Sequence, residues 1–589
     1  MAAFWERGVT RPLRDSRVSG CDKATLSAQV SALIVISKPT FFIKPLHALL
    51  LVLVAWAAIY LPGLGKRELQ GEEARRVLPG RTMLQTGDWV VPRSAGEVYN
   101  RKPPGINWAT AIAMVVTGRM DEKSVRMPSA LAMLALAMVT LVVMRGFLGM
   151  EGALLAALIM LTNLGFIERG RLAEIDGLYC ALFGMAALSW LSLWWQERPM
   201  AAWLLSGWLL GLAFLVKGPP HVWFFYAMVI GVLRQEKRLR ELLTWRHGLG
   251  LVIFVLTWSW WAYLNAGTNP DKDSSSVWID QIASRLGLSD FHLVSWLLLI
   301  PKSLGAFLPW ALLLPLGIRI LQARNQASDE QSRHTRILIG VGQGLLVGFL
   351  FIALLPSSRP RFLLPLNAVA AVFLVGCLRL LAEDSLRQIQ QKWTRGMTLL
   401  AILGTVGLAA TPIIAITGKN PESAMPLITV VTMCIAASVI SIILIGWRTE
   451  WVRSLTGTLP MLGVSTAVAA MVTLLTYSQL LTAGIVPERL KPFAAEVRKI
   501  TGVDSDILLF RVPERMWPFY LGFGCREIAE PKELPEKVSW VMTPADKRDK
   551  NFVHLLREYG EPLSEQRIRE PLTDDAGGKG IELVLWQFR

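Results

Sequence analysis

The sequence predicts a mostly α-helical, polytopic membrane protein of about thirteen transmembrane helices, closed by a small soluble α/β domain. Three observations predict it. Hydrophobic residues make up 53% of the 589 and charged residues only 18%, with a mean hydropathy of +0.42, which is more apolar surface than soluble cores need. Apolar runs near spanning length recur along residues 46–484, and beyond them the texture changes to short strand-like runs among charged pieces. The formal net charge of +16 would suggest nucleic acid in a soluble protein. Here the charges sit between apolar runs, where lipid headgroups and phosphates are the natural partners, so membrane lipids are expected as partners and nucleic acid is not. The five cysteines, Cys21, Cys180, Cys377, Cys434 and Cys525, are too scattered for a disulfide framework or a CxxC metal site.

Residues 1–45 form a basic segment with Arg7, Arg11, Arg14, Arg17 and Lys23, placed in the cytoplasm by the positive-inside rule. The run Leu46 to Leu64 is long enough to span and has no small-residue cleavage site, so it reads as an uncleaved first helix. Further spans are expected at Met127–Met144, Ala153–Phe166, Asp176–Trp195, Ala201–Val216, Pro219–Leu233, Leu249–Leu264, Leu304–Leu321, Ile337–Leu355, Phe362–Leu378, Met397–Thr417, Met425–Trp447 and Leu455–Leu481. The shorter piece Gly105–Gly118 is settled by counting sides. If it does not span, the loops with Arg234 to Arg246, Arg324 to Arg336, Arg387 to Arg395, and Arg448 with Arg453 all fall inside, whereas those at Lys217, Arg359 to Arg361 and Lys419 fall outside. Gly105–Gly118 is therefore expected to be an interfacial helix. The loop 65–126, a second loop from Asn265 to Lys302 and the tail 485–589 are then exported. In that tail Asp506–Val512, Val538–Met542 and Ile581–Phe588 read as strands of the α/β domain.

The candidate chemistry gathers on the exported side. Gly71-Glu72-Glu73-Ala74-Arg75-Arg76 puts two carboxylates just beyond a membrane helix, where burial raises a carboxylate pKa toward that of a general base. The same residues also suit a salt-bridged helix start. Glu168-Arg169-Gly170-Arg171-Leu172-Ala173-Glu174-Ile175-Asp176 sits at the lip of an apolar helix, where an ionisable group faces a cavity or pairs with a neighbour such as Arg171. Lys217, on the tight Lys217-Gly218-Pro219-Pro220 turn, holds a lipid phosphate or snorkels to headgroups. Ser357-Ser358-Arg359-Pro360-Arg361 offers two guanidinium forks and two hydroxyls to a phosphate. These groups are expected around one cavity at the exported interface.

In order and type, these pieces resemble the C-type membrane glycosyltransferases that use polyprenyl-phosphate sugars, near the protein O-mannosyltransferases and the bacterial aminoarabinose lipid A transferases. The resemblance rests on the acidic pair, Gly87-Asp88-Trp89-Val90-Val91-Pro92, Lys102-Pro103-Pro104, the Arg171 to Asp176 spacing, Lys217-Gly218 and the Ser/Arg loop before Leu364-Pro365. It implies about thirteen spans, a carboxyl-terminal periplasmic α/β domain and a bacterial inner-membrane location. It also implies a polyprenyl-phosphate-linked sugar donor and a lipid (lipid A-like), glycan or protein acceptor. On that resemblance Glu72 and Glu73 are the catalytic candidates, and Arg75, Lys102, Arg171, Asp176, Lys217, Arg359 and Arg361 the substrate-binding ones. This chain departs from the family pattern in having Glu72 where an Asp is usual, Arg101 where a carboxylate is usual, and Asp280-Gln281-Ile282 where the arabinose transferases have a Glu-His pair. Those changes remove plausible metal ligands, so no metal and no other cofactor is expected.

A transporter or flippase of lipid-linked sugars is the alternative from another class. Such proteins place ionisable groups near mid-membrane and carry paired repeats, whereas here the candidate groups gather at one rim. A membrane assembly partner without catalysis is a third reading.

Overall fold

The structure is a computed structural model that describes residues 43–99, 102–268, 293–317, 329–355, 358–417, 424–446, 452–453, 457–483, 488–570 and 581–588. Arg101, Ser357, Asp280 to Ile282, Arg324, Lys419, Cys21 and the basic residues before Ile43 lie outside the described residues. The chain is mostly helical. Among the described residues, seven helices are long and apolar enough to cross a membrane. The number rises to eight if the pair Leu299–Ala306 and Trp310–Gly317, bent by 105°, counts as one span.

This is fewer than the thirteen expected, for two physical reasons. The helix Glu122–Thr162 takes up two of the expected spans and is kinked at Gly149, where φ is 68°. The apolar helices Pro45–Tyr60, Gly105–Thr117 and Leu366–Arg379 are all shorter than 18 residues. The expected span from Phe362 begins only at Leu366, because Pro360–Phe362 forms a 3₁₀ turn ahead of it. The first loop, 65–126, is well structured. It contains the helices Ala74–Thr86 and Gly105–Thr117 and a small antiparallel hairpin, β1 (Arg93–Ser94) with β2 (Glu97–Val98).

The tail carries a five-stranded mixed sheet in the order β4-β3-β5-β7-β6. Its strands are β3 (Ile507–Phe510), β4 (Cys525–Ile528), β5 (Trp540–Pro544), β6 (Ser564–Arg569) and β7 (Glu582–Gln587). β3 runs parallel to β4 and β5, with Ile507 opposite both Cys525 and Trp540, and β7 runs antiparallel to β5 and β6. The unbroken apolar stretch of β3 follows from cover on both faces. Ile507 and Leu509 pack with Phe493 and Val497 of the helix Leu490–Thr501, and also with Val77 and Leu78 of the first loop. Leu508 and Phe510 point the other way, toward Leu555 of the helix Arg548–Tyr559. Strand-like patterning marked β3, β5 and β7, whereas the polar, largely exposed β6 and the short β4 gave no such signal.

The sheet is bound to the first loop. Glu68 accepts the backbone N–H groups of Arg489, Leu490 and Lys491 at 2.9, 3.0 and 2.7 Å, an anion on the positive end of the helix Leu490–Thr501. Arg81 is buried and donates to the carbonyls of Gly522 and Cys525. The hairpin docks on the end of β4, where Glu527 accepts the Ala95 N–H at 2.7 Å. Gly96 has φ 79°, and a Cβ there would lie 2.4 Å from the Ala529 nitrogen. Gly96→Ala is therefore expected to cost about 1–3 kcal/mol through strain and overpacking. It should lift the hairpin from the sheet, read as faster limited proteolysis at Arg93; unchanged cleavage would show that the docking is loose.

Candidate active site

Two charged clusters form at one end of the helical bundle, with the helix Gly105–Thr117 between them. The first is built on the short turn Gly71–Glu73. Glu72, partly exposed, pairs with Arg75 at 3.2 Å and with the buried Arg76 at 2.9 Å. Arg76 also donates to the Tyr99 hydroxyl. Arg75 in turn pairs with Glu514 of the tail at 3.0 Å, and Glu514 accepts from Ser94 of the hairpin. Glu72 is thus a carboxylate that two guanidinium groups hold in place at the seam between membrane helices and tail.

Its neighbour Glu73 is fully buried and faces the other way. Arg126 grips it with two N–H···O bonds of 2.8 Å, and the same carboxylate accepts the backbone N–H of Ala173 at 2.8 Å and of Gln70 at 2.9 Å. Arg126 sits one turn into the helix Glu122–Thr162, whose start is capped by the Asp121 side chain on Ser124 N–H. Every strong acceptor direction of Glu73 is taken, as a buried charge requires.

The second cluster is built on the 169–176 turn and the Lys217 turn. Lys217 Nζ lies 2.5 Å from Asp176 Oδ1, and both side chains are buried. The ammonium also lies 4.8 Å from the Tyr179 ring and 5.4 Å from that of Phe362. Arg361, adjacent to Phe362, is within electrostatic reach of the Asp176 carboxylate. Arg361 and Arg359 make no side-chain hydrogen bond or ion pair among the described residues. Asp176 thus faces Lys217 directly and Arg361 at longer range, and the surplus of these three is positive.

The Gly105–Thr117 helix couples the clusters. Asn107 donates to the Arg76 carbonyl at 2.7 Å, and a Cβ at Gly105 would lie 2.7 Å from the carbonyl of Leu215, two residues before Lys217. Lys102 lies three residues before that contact. From the residues alone, the ionisable groups of this turn either face a cavity or pair with a neighbour such as Arg171. In the structure Arg169 takes both Glu174 and Glu168, at 2.5 and 3.0 Å, and Arg171 bonds only backbone carbonyls at the end of the Pro45–Tyr60 helix. Burial raises the Glu174 pKa, and Arg169 pulls it back. Of the expected set, the structure brings Asp176, Lys217 and Arg361 together and puts Glu72 and Arg75 across one helix. Arg171 lines a separate cavity with Arg126 and Arg67. Sequence reasoning missed Arg76, Tyr99, Arg126 and Glu514. Arg76 was legible as the i+4 partner of Glu72, but Glu514, 439 residues from Arg75, left no local trace.

This geometry can be set beside that of known proteins. A family model described as dolichyl-phosphate-mannose-protein mannosyltransferase matches residues 101–261. Over 94% of this chain and 98% of the other, the structure is similar to that of ArnT from Cupriavidus metallidurans in the apo state, with a TM-score of 0.63 at 17% identity. A second structure of that protein, bound to undecaprenyl phosphate, gives 0.62 at 19% identity over 91% and 97%. The chain shares the fold of these two structures. A Pseudomonas fluorescens protein named undecaprenyl phosphate-alpha-4-amino-4-deoxy-L-arabinose arabinosyl transferase 1 is 28% identical over 350 residues, which is 57% of this chain and 62% of its own length. A protein of that name, without the final number, from Pectobacterium carotovorum is 30% identical over 290 residues, 48% and 51% of the two chains. The chain thus matches between half and two thirds of the length of these relatives.

In this fold the Asp176–Lys217 pair is a buried ion pair whose partners depend on each other. Asp176→Leu or Lys217→Met alone is expected to lower stability by about 3–5 kcal/mol, because each leaves an uncompensated buried charge. The double substitution should cost clearly less than the sum of the two, measured by unfolding of the purified protein in detergent. Strictly additive losses would mean that the two groups do not interact.

Proposed function

We propose that this chain is a membrane glycosyltransferase that moves a sugar from a polyprenyl-phosphate donor to a lipid (lipid A-like), glycan or protein acceptor. The observation that carries the reading is the buried Lys217–Asp176 pair with Arg361 in electrostatic reach of it, one helix away from the held carboxylate Glu72. The names of the relatives, which specify an undecaprenyl-phosphate sugar, support the donor class.

In this reading the polyprenyl chain lies along lipid-facing helices, and the donor phosphate sits on Arg359, Arg361 and Lys217, with Lys102 at the rim. As the bond from the anomeric carbon to the phosphate oxygen breaks, both electrons go to the phosphate. Its growing charge is stabilised by cations already in place, so they bind the transition state more strongly than the ground state. The acceptor oxygen forms the new bond from the opposite face, inverting the anomeric carbon. A hydroxyl acceptor releases its proton to Glu72. A phosphate acceptor is already an anion, and Glu72 with Arg75 then orients it or the sugar. Glu73, saturated by Arg126 and backbone N–H groups, holds the turn that presents Glu72.

The same proposal assigns sides and segments. Residues 1–45 are cytoplasmic, 46–484 form the membrane-embedded transferase with the exported loop 65–126, and 485–589 form a periplasmic α/β domain. The protein sits in the bacterial inner membrane. Thirteen crossings follow if Glu122–Thr162 counts as two across its kink, the bent pair counts as one, and the helices Pro45–Tyr60, Pro220–Gln235, Leu366–Arg379 and Ala424–Gly446 join the remaining six long ones. Gly105–Thr117 then lies at the interface.

The test is transfer from labelled polyprenyl-phosphate sugars by purified protein, with products identified by mass. Arg361→Gln is expected to lower turnover by about 10²–10³-fold with little change in the unfolding midpoint, since the guanidinium makes no hydrogen bond or ion pair among the described residues. Glu72→Gln should lower transfer to a hydroxyl acceptor by about 10²–10⁴-fold, as removal of a general base does. Near-normal turnover of Glu72→Gln on such an acceptor would eliminate Glu72 as the base. No product from any polyprenyl-linked sugar would overturn the transferase reading.

A further inference from the structure

A cavity of about 270 Å³ lies beside the Arg126 edge of the first cluster and apart from the second, between the end of the helix Pro45–Tyr60, the 167–172 turn and the helix Thr458–Thr482. Three guanidinium groups border it, from Arg67, Arg126 and Arg171, together with the Tyr477 hydroxyl. Their charge is poorly balanced. Arg126 is neutralised by Glu73, and Glu168, the other carboxylate bordering the cavity, is mostly exposed and paired with Arg169. Among the described residues Arg171 has no carboxylate partner; it bonds the carbonyls of Ile59 and Pro62. The one side-chain hydrogen bond of Arg67 among those residues is a long contact of 3.5 Å to Tyr477. Burial, with the like charge of Arg126 nearby, pulls Arg171 below the usual guanidinium pKa.

Two buried or half-buried cations without a counter-charge are costly unless an anion joins them. The space is several times the ~30 Å³ that one water occupies in the liquid, enough for a phosphate group with attached atoms. Guanidinium forks and a phenol are the donors that planar, multidentate recognition of phosphate uses. The opposite wall is apolar, formed by Leu474 and Leu481 on a helix long and apolar enough to cross a membrane. A polar floor with an apolar wall at a helix end suits a ligand with an anionic head and a hydrocarbon stem.

We propose that this cavity is a second phosphate site, which holds the phosphate headgroup of a membrane lipid on Arg67, Arg171 and Tyr477 with its acyl chain along Leu474 and Leu481. It is separate from the Lys217–Arg361 cluster and does not depend on the transferase reading. The two sites share one turn, since Arg171 enters the cavity and Asp176, five residues on, meets Lys217. A lipid bound here therefore braces the turn that presents Asp176.

The test uses the purified full chain in a neutral detergent, titrated with phosphatidylglycerol, with phosphatidylcholine and with inorganic phosphate. Bound lipid is counted by native mass spectrometry and occupancy is read as a rise in unfolding midpoint. Wild type is expected to bind phosphatidylglycerol saturably and better than phosphatidylcholine. Arg67→Gln should weaken that binding about tenfold, the loss of one charge-assisted contact, while Arg67→Lys keeps most of it. Leu474→Trp, which fills the cavity from its apolar wall and touches no charge, should also abolish it. Binding by Arg67→Gln and Leu474→Trp equal to wild type, or equal binding of the two lipids, would overturn the proposal. Saturation by inorganic phosphate that displaces the lipid at comparable affinity would make the occupant a free anion and overturn the lipid assignment.

Discussion

Arg126 is the hub on which the architecture around the site depends. Its guanidinium closes on Glu73 and also donates to the carbonyls of Leu64, Arg67 and Glu68, where the chain leaves the first described helix. Through Glu73 it reaches the backbone of Ala173. One side chain, rooted near the start of the long helix Glu122–Thr162, therefore ties together three segments distant in sequence. Desolvating such a charge is expensive, and the cost is met only because nearly every donor and acceptor in the network is satisfied. A fully satisfied buried network has a single good arrangement, which makes the first loop a rigid platform for Glu72.

From that platform the rest of the site follows by contact. Glu72 stands one residue before Glu73 and is flanked by Arg75 and Arg76, so the buried, fully bonded half of the pair supports the partly exposed half. The same loop carries the tail. Glu68 binds the start of the helix Leu490–Thr501, the Tyr520 hydroxyl accepts the Leu69 N–H at 2.8 Å, and Arg75 meets Glu514. The tail sheet thus packs against the candidate site and supplies one of its charged neighbours. A polar seam of this kind, built from charge-assisted bonds with apolar contacts of Val77 and Leu78 behind them, fixes orientation more than it adds stability.

The distribution of cations explains why both proposed anion sites involve one turn. Between Arg169 and Asp176 the chain makes a tight passage from one membrane helix to the next, and its side chains leave in different directions. Arg169 is consumed by Glu168 and Glu174, Asp176 by Lys217, and Arg171 by carbonyl dipoles that leave its charge uncancelled. Carbonyl bonds satisfy donors without neutralising a cation, so the field of Arg171 stays available to a ligand.

The sequence alone determined the membrane character, the helix-rich fold, the helical tracts and the end of the bundle where charge collects. Those follow from composition and from the run lengths of apolar residues, which act locally and additively. It also marked Lys217, Asp176 and Arg361 one by one, since an ionisable group beside an apolar helix is conspicuous wherever it stands. Only the tertiary structure decided that Lys217 pairs with Asp176, that Glu73 is locked by Arg126 while Glu72 stays partly exposed between Arg75 and Arg76, and that Arg171 turns away to another cavity. It also decided that Glu514 joins the first loop from 439 residues away. The physical reason is that adjacent glutamates are identical in composition and propensity, and their fates separate only when the direction of each side chain meets a partner brought in by the fold.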